Sequence, residues 1–242
     1  MDKRIDGFSK LSKEEKIDWI TRTHFKNSTA AASLLSSYWN SDPSLQTQHD
    51  EFIENTLTNF YMPLGVAPNF LINKSLFTLP MVIEESSVVA AAGNAAKFWL
   101  NKGGFKAEVI DTLKVGQVHF LYKGNPELLY AFFKKNKKTL IHATSELTQK
   151  MELRGGGIVS LDLVSKTTAL PNYYKLDVRF KTADAMGANF INSCLESLAT
   201  AFENLAAKET FFMKKEASIE ILMSILSNYV PECLVKARVS CS

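Results

Sequence analysis

KLDVRFKTADAMGANFINSCLESLATAFENL, residues 175–205, changes its apolar period halfway along. Leu176, Val178 and Phe180 alternate, as a strand with one buried face requires. Ile191, Leu195, Leu198, Phe202 and Leu205 are then spaced 4, 3, 4 and 3, an amphipathic helical stripe. A strand feeding directly into a long helix is the unit from which the fold is read.

Working outward, Val118, Phe120 and Tyr122 alternate as a strand. Pro126 to Lys138 predicts a helix with Leu128, Leu129, Phe132 and Phe133 on its apolar side, and Thr139 to Leu153 a second one. Gly155-Gly156-Gly157 reads as a tight turn, with phosphate cradling as the alternative. A strand follows near Ile158 to Val164, and a turn at Pro171-Asn172 leads back to residue 175. Downstream, Ile219, Ile221, Met223 and Ile225 alternate, as do Cys233, Val235, Ala237 and Val239. The order strand-helix-helix-strand-strand-helix-strand predicts a compact α+β unit inserted in a larger framework. The last strand, Cys233 to Val239, has no evident partner.

Upstream, Ser12 and Glu15 have capping-box spacing ahead of Ile17, Trp19 and Ile20. Asp42-Pro43 starts another segment, in which Phe52, Ile53, Leu57 and Phe60 recur at helical spacing. Tyr61 to Phe77 contains Pro63, Gly65 and Pro68 and reads as loop and short strand. SSVVAAAGNAAKFWL, Ser86 to Leu100, predicts a buried packing helix that Gly103-Gly104 would end.

Composition is that of an ordinary globular chain: 46% of its 242 residues are apolar and 22% charged. A net charge of +3 gives no argument for nucleic acid or an anionic membrane. No signal peptide is readable in the charged first residues, and no apolar run approaches the ~20 residues of a bilayer span. Cys194, Cys233 and Cys241 form neither an even set nor a CxxC, so reduced thiols in a cytoplasmic protein are expected. His24, His49, His119 and His142 lack ligand spacing, so no metal site is expected. Lys134, Lys135, Lys137 and Lys138 read as a solvated helix end, with phosphate contact as the alternative.

Two segments could carry chemistry. LPMVIEESSVV, from Leu79, sets Glu84 and Glu85 between a strand-like run and the small-residue helix. A carboxylate desolvated at such a junction is suited to proton donation, and Ser86 or Ser87 could cap the helix or touch an anion. The plainer alternative is that the acids complement the helix dipole. In the second segment, Asp184 to Asn192, Gly187 would let the backbone approach a phosphate at a helix N-terminus. Asp184 as a simple N-cap is the alternative, and the GxGxxG fingerprint is absent.

LPMVIEESSVVAAAGNAAK (Leu79 to Lys97) closely resembles the signature of bacterial class II 3-hydroxy-3-methylglutaryl-coenzyme A (HMG-CoA) reductases, and DAMGAN (Asp184 to Asn189) that family's dinucleotide motif. IDGFSKLSKEEKIDWI, IENTLTNFYMPLGVAPNFLIN, RGGG at 154–157 and ILSN at 225–228 match in family order. The resemblance implies reduction of HMG-CoA to mevalonate and coenzyme A by two hydrides from NAD or NADP, or the reverse oxidation. By position it implies Glu85 as catalytic acid and Ser87 as a contact of the hydroxymethylglutaryl group. Asp184, Met186, Gly187 and Asn189 match the dinucleotide motif, and Asn228 an asparagine near the nicotinamide. The implied fold is α+β. Residues 1–109 begin a helical and mixed substrate-binding domain, 110–215 form an inserted ferredoxin-like dinucleotide-binding domain, and 216–242 return to the first. A homodimer or higher oligomer is also implied. Ser86 stands where the family commonly has Pro, and no HNKG, the motif of the family's catalytic lysine, occurs in this sequence. A chain inactive by itself is therefore expected, and a non-catalytic dimerising or coenzyme A- or dinucleotide-binding module is the alternative.

Overall fold

The computed structural model describes residues 3–212 and 217–241. They divide into two units, one running to Gly104 and taking in the residues from Ser240, the other spanning Phe105–Val239.

The first unit opens with helices α1 (Lys13–His24), α2 (Thr29–Ser37) and α3 (Pro43–Asp50). The capping box of α1 forms as its spacing predicts: the Ser12 hydroxyl accepts from the Glu15 amide at 3.1 Å, and the Glu15 carboxylate from the Ser12 amide at 2.7 Å. The helical reading of Phe52 to Phe60 fails. α3 ends at Asp50, Asn55 takes a left-handed φ of +58°, and the Thr56 hydroxyl donates to the carbonyls of Asp50 and Ile53. The apolar residues of that stretch do not pack as a helix face, and Phe52 and Phe60 are exposed.

Tyr61 to Phe77 holds more strand than expected. Strands β1 (Leu64–Ile72) and β2 (Ser75–Val82) pair antiparallel, and a two-residue turn at Asn73 and Lys74, both with positive φ, joins them. Pro68 and Asn69 sit where the register shifts between Ala67 and Phe70, so a bulge takes the proline that would have broken a regular ladder. Helix α4 (Val88–Leu100) packs along β1 and ends as expected. The Gly104 amide donates to Trp99 O at 2.9 Å with φ +71°, and an added Cβ would overlap the Leu71 backbone. The expectation of a buried helix is corrected: among the described residues of α4 only Ala96 is buried.

The second unit runs β3 (Lys106–Asp111), β4 (Lys114–Tyr122), α5 (Pro126–His142), α6 (Ser145–Glu152), β5 (Gly157–Ser165), β6 (Tyr173–Lys181), α7 (Ala188–Ala206), β7 (Ile219–Leu226) and β8 (Leu234–Arg238). Helix α5 extends one turn past the expected break. Its end is fixed where the Thr144 hydroxyl turns back to Ile141 O at 2.7 Å. The triple glycine is the turn it was read to be: Gly155 and Gly156 donate to Glu152 O and Met151 O at the end of α6. Four antiparallel strands in the order β5-β6-β4-β7, with helices after the first and third in sequence, make the ferredoxin-like βαββαβ arrangement. Phe120, Leu176, Val178 and Phe180 meet Leu129 and Phe132 of α5 and Leu195, Leu198 and Phe202 of α7 in one core. The alternate residues of β6, Lys175, Asp177 and Arg179, form an ion-paired face opposite it.

Strand β7 pairs with β4, so residues 219–226 belong to this sheet rather than to a returning segment. The expected boundary at 215/216 lies outside the described residues. The partner that β8 lacked in sequence is β3, with Lys106 opposite Arg238.

Candidate functional site

In the first unit, β2 runs out at Val82 and the chain turns through Glu84 and Glu85 into α4. Ser87 holds the N-cap position at φ +67°, a left-handed backbone rarely adopted outside Gly, Asn and Asp. Its carbonyl accepts from Ala91 N at 2.8 Å. Its hydroxyl makes no capping bond, so of the two roles open to Ser86 or Ser87 in sequence, capping or contact with an anion, Ser87 does not take the first. The reason is the backbone: Ncap side chains reach the first-turn amides from extended φ/ψ, which Ser87 does not have. The hydroxyl and the first-turn amides are thereby left for a ligand. Glu84 and Glu85 are both exposed, so among the described residues the junction does not supply the expected desolvation. They stand at one end of a groove of about 860 Å³ between α4 and β1. Asn69, Asn94 and Lys97 also line it; they were not singled out as site residues, although Lys97 closes the quoted signature.

In the second unit the expected cap of α7 is corrected. Asp184 is exposed, and Gly187, at φ +82°, occupies the N-cap. The preceding loop is tied by the Thr182 hydroxyl, which donates to Ala185 O at 2.6 Å. An added Cβ on Gly187 would overlap the buried Thr182 methyl and lie 2.9 Å from Thr182 Cβ, so both φ and space demand glycine. No side chain caps α7, which leaves its first-turn amides facing outward beside exposed Met186 and Asn189. The end of β7 is pinned there too. Leu226 N donates to Asn192 Oδ1 and Ser227 N to Val115 O, carrying the exposed Asn228 to the same end of the sheet. Asp184, Met186, Gly187, Asn189 and Asn228 therefore cluster in one unit, while Glu85 and Ser87 share the other.

An uncapped helix N-terminus reached over a glycine fits the diphosphate of a dinucleotide: N–H groups and dipole both favour the anion. Among the described residues no group of three His, Cys, Asp or Glu could hold a metal ion, and no helix is long and apolar enough to cross a membrane.

The family model for hydroxymethylglutaryl-coenzyme A reductase matches residues 12–242. The chain belongs to this family. It is 31% identical over 238 residues to the 3-hydroxy-3-methylglutaryl-coenzyme A reductase of Archaeoglobus fulgidus, covering 98% of this chain and 51% of that protein. Its fold is similar to that of the class II reductase of Streptococcus pneumoniae, solved bound to NADPH in open conformations. The TM-score is 0.67 and the identity 31%, over 96% of this chain and 58% of the other. A second structure of the S. pneumoniae reductase matches equally, with TM-score 0.67 and 30% identity. The chain thus spans about half the length of the HMG-CoA reductase relatives it matches.

Proposed function

We propose that the protein serves the NAD(P)-dependent interconversion of HMG-CoA with mevalonate and coenzyme A. The observation that carries this reading is the acid pair at the strained β2–α4 junction, heading a groove in a chain of the reductase family. The balanced reaction consumes the thioester, two reduced dinucleotides and two protons, and releases the alcohol, the thiol and two oxidised dinucleotides. The dinucleotide, NAD or NADP, supplies the hydride when bound. The rest is the work of side chains. Glu85 donates a proton to the oxygen that gains negative charge as the carbonyl carbon is reduced. Ser87, its hydroxyl free of the helix, contacts the hydroxymethylglutaryl group. The α7 N-terminus, with Asp184, Met186, Gly187 and Asn189, holds the dinucleotide, and Asn228 approaches its nicotinamide end. A homodimer in the cytoplasm is the setting this reading implies.

The sequence holds no HNKG segment to stabilise the oxyanion, an effect worth several kcal/mol of barrier. The chain by itself therefore binds ligands without turning them over. The test joins it to the second half of the S. pneumoniae reductase and compares Glu85 with Glu85→Gln. Turnover is expected to fall about 10²–10⁴-fold with dinucleotide affinity unchanged. Near-normal turnover of Glu85→Gln refutes the role of Glu85, whereas no turnover in the unsubstituted chimera favours the non-catalytic binding module.

A further inference from the structure

Asn228 has no anchor of its own. Its side chain makes no hydrogen bond among the described residues, so its place is inherited from the backbone on either side. Upstream the tie is tight: besides the bond from Ser227 N to Val115 O, the Ser227 hydroxyl accepts from Tyr229 N and donates to Tyr229 O, both at 3.1 Å. Downstream, Cys233 N donates to Val230 O at 3.0 Å, closing a turn with Pro231 at its second position. Tyr229 is 76% exposed and Pro231 is exposed, so apolar packing does little to hold this segment. Side-chain bonds to the sheet hold it instead. Glu232 Oε1 accepts from Arg179 Nε at 2.9 Å, and Cys233 Sγ from Lys114 Nζ at 3.2 Å. Arg179 is itself oriented by Asp177, which Lys175 and Gln117 hold at 2.6 and 3.0 Å. The other Glu232 oxygen, Oε2, is buried with no partner among the described residues. The carboxylate therefore stays on Arg179 at a desolvation cost rather than turning to water.

Resting on the reductase reading above, we propose that Glu232, latched to Arg179, is the positioning residue that aims Asn228 at the nicotinamide. Arg179 lies on β6, which ends two residues later at Lys181 and leads into the loop of Asp184, Met186 and Gly187. One strand then sets both ends of the dinucleotide. It delivers the loop before α7 for the diphosphate and, through Arg179 and Glu232, the segment that carries Asn228. The ion pair acts through the backbone and touches no ligand, so its loss is felt at the nicotinamide end alone.

The test has two readouts on this chain. Amide hydrogen exchange without ligand reports the latch: Glu232→Ala should speed exchange in residues 227–233 about tenfold and leave β4 and β6 unchanged. Calorimetry reports the aim. Glu232→Ala should weaken whichever of NADH and NADPH binds about tenfold, with ADP-ribose and its 2′-phosphate, which lack the nicotinamide, unchanged. Glu232→Gln keeps an acceptor for Arg179 and should stay within about threefold of wild type. Unchanged exchange or unchanged dinucleotide affinity in Glu232→Ala overturns the proposal, as does an equal loss for ADP-ribose; the reductase reading then stands. Failure of the wild-type chain to bind either dinucleotide overturns both.

Discussion

Replacing Gly187 by Ala loads two separable costs onto one methyl group. The first is conformational: a φ of +82° is open to glycine, whereas an L side chain there costs about 1–2 kcal/mol. The second is steric, because the new Cβ overlaps the Thr182 methyl, and overpacking of this kind costs about 1–3 kcal/mol. Thr182 cannot easily turn aside. It is buried at 2% exposure, and its hydroxyl is committed to Ala185 O at 2.6 Å. Gly187→Ala should therefore destabilise the chain by about 2–5 kcal/mol in urea unfolding, the sum of the two terms. Thr182→Ser removes the colliding methyl and keeps the hydroxyl bond, at about 1 kcal/mol for the lost burial. In the double variant the methyl overlap is gone and the steric term is reduced to the 2.9 Å approach of the two Cβ atoms, beside the backbone term and the lost methyl. A double-mutant cycle should then give a favourable coupling of about 1 kcal/mol or more. A loss below about 0.5 kcal/mol for Gly187→Ala, or strictly additive variants, would refute the close approach of Gly187 to Thr182.

Two further outcomes follow from ionisable groups, one half-buried and one buried. Burial alone would raise the pKa of Asp177, but hydrogen bonds and charge from Lys175 and Arg179 outweigh it and hold the carboxyl below its usual value. Its folded pKa lies below its unfolded one, so its contribution is full above about pH 4 and is lost as pH falls through the folded value. The urea midpoint should drop on acidification in wild type and less steeply in Asp177→Asn; parallel pH profiles would contradict this. Burial pushes the Cys194 thiol up to about 11, whereas Cys241 is exposed. A thiol reagent at about pH 8 should label Cys241 at once and Cys194 only on unfolding, and equal native labelling rates would refute that burial.

Elements with one buried face and an unbroken period are legible in the sequence: β4, β6 and α7 bury alternate or stripe residues, and their pattern survives there. Strand β3 was missed because its residues, KAEVID, are exposed or half-buried and carry no alternation, yet it is what pairs β8. Helix α2 has the same problem, TAAASLLSS burying nothing in the described structure. Phe52 to Phe60 misled in the opposite way, with helical spacing but a left-handed Asn55 inside it. At the site, the residues of each cluster were nameable from motifs. The φ of Ser87 was not, nor was the transfer of the α7 cap from Asp184 to Gly187, which the contact with Thr182 and its bond to Ala185 O fix. Lys97 was visible, but a lysine on a helix reads as solvated until β1 gives it a groove to close.

The pairing of β3 with β8 has a topological consequence. Lys106 and Arg238 face each other across that ladder, which puts the ends of residues 106–238 about 5 Å apart. A host chain receiving such a module spans the gap with little more than a tight connection, so its own loop-closure entropy is almost that of a short turn. Entry and exit are clasped by the guest itself. The module is thus portable in principle: it can be lengthened or exchanged without asking its host to move.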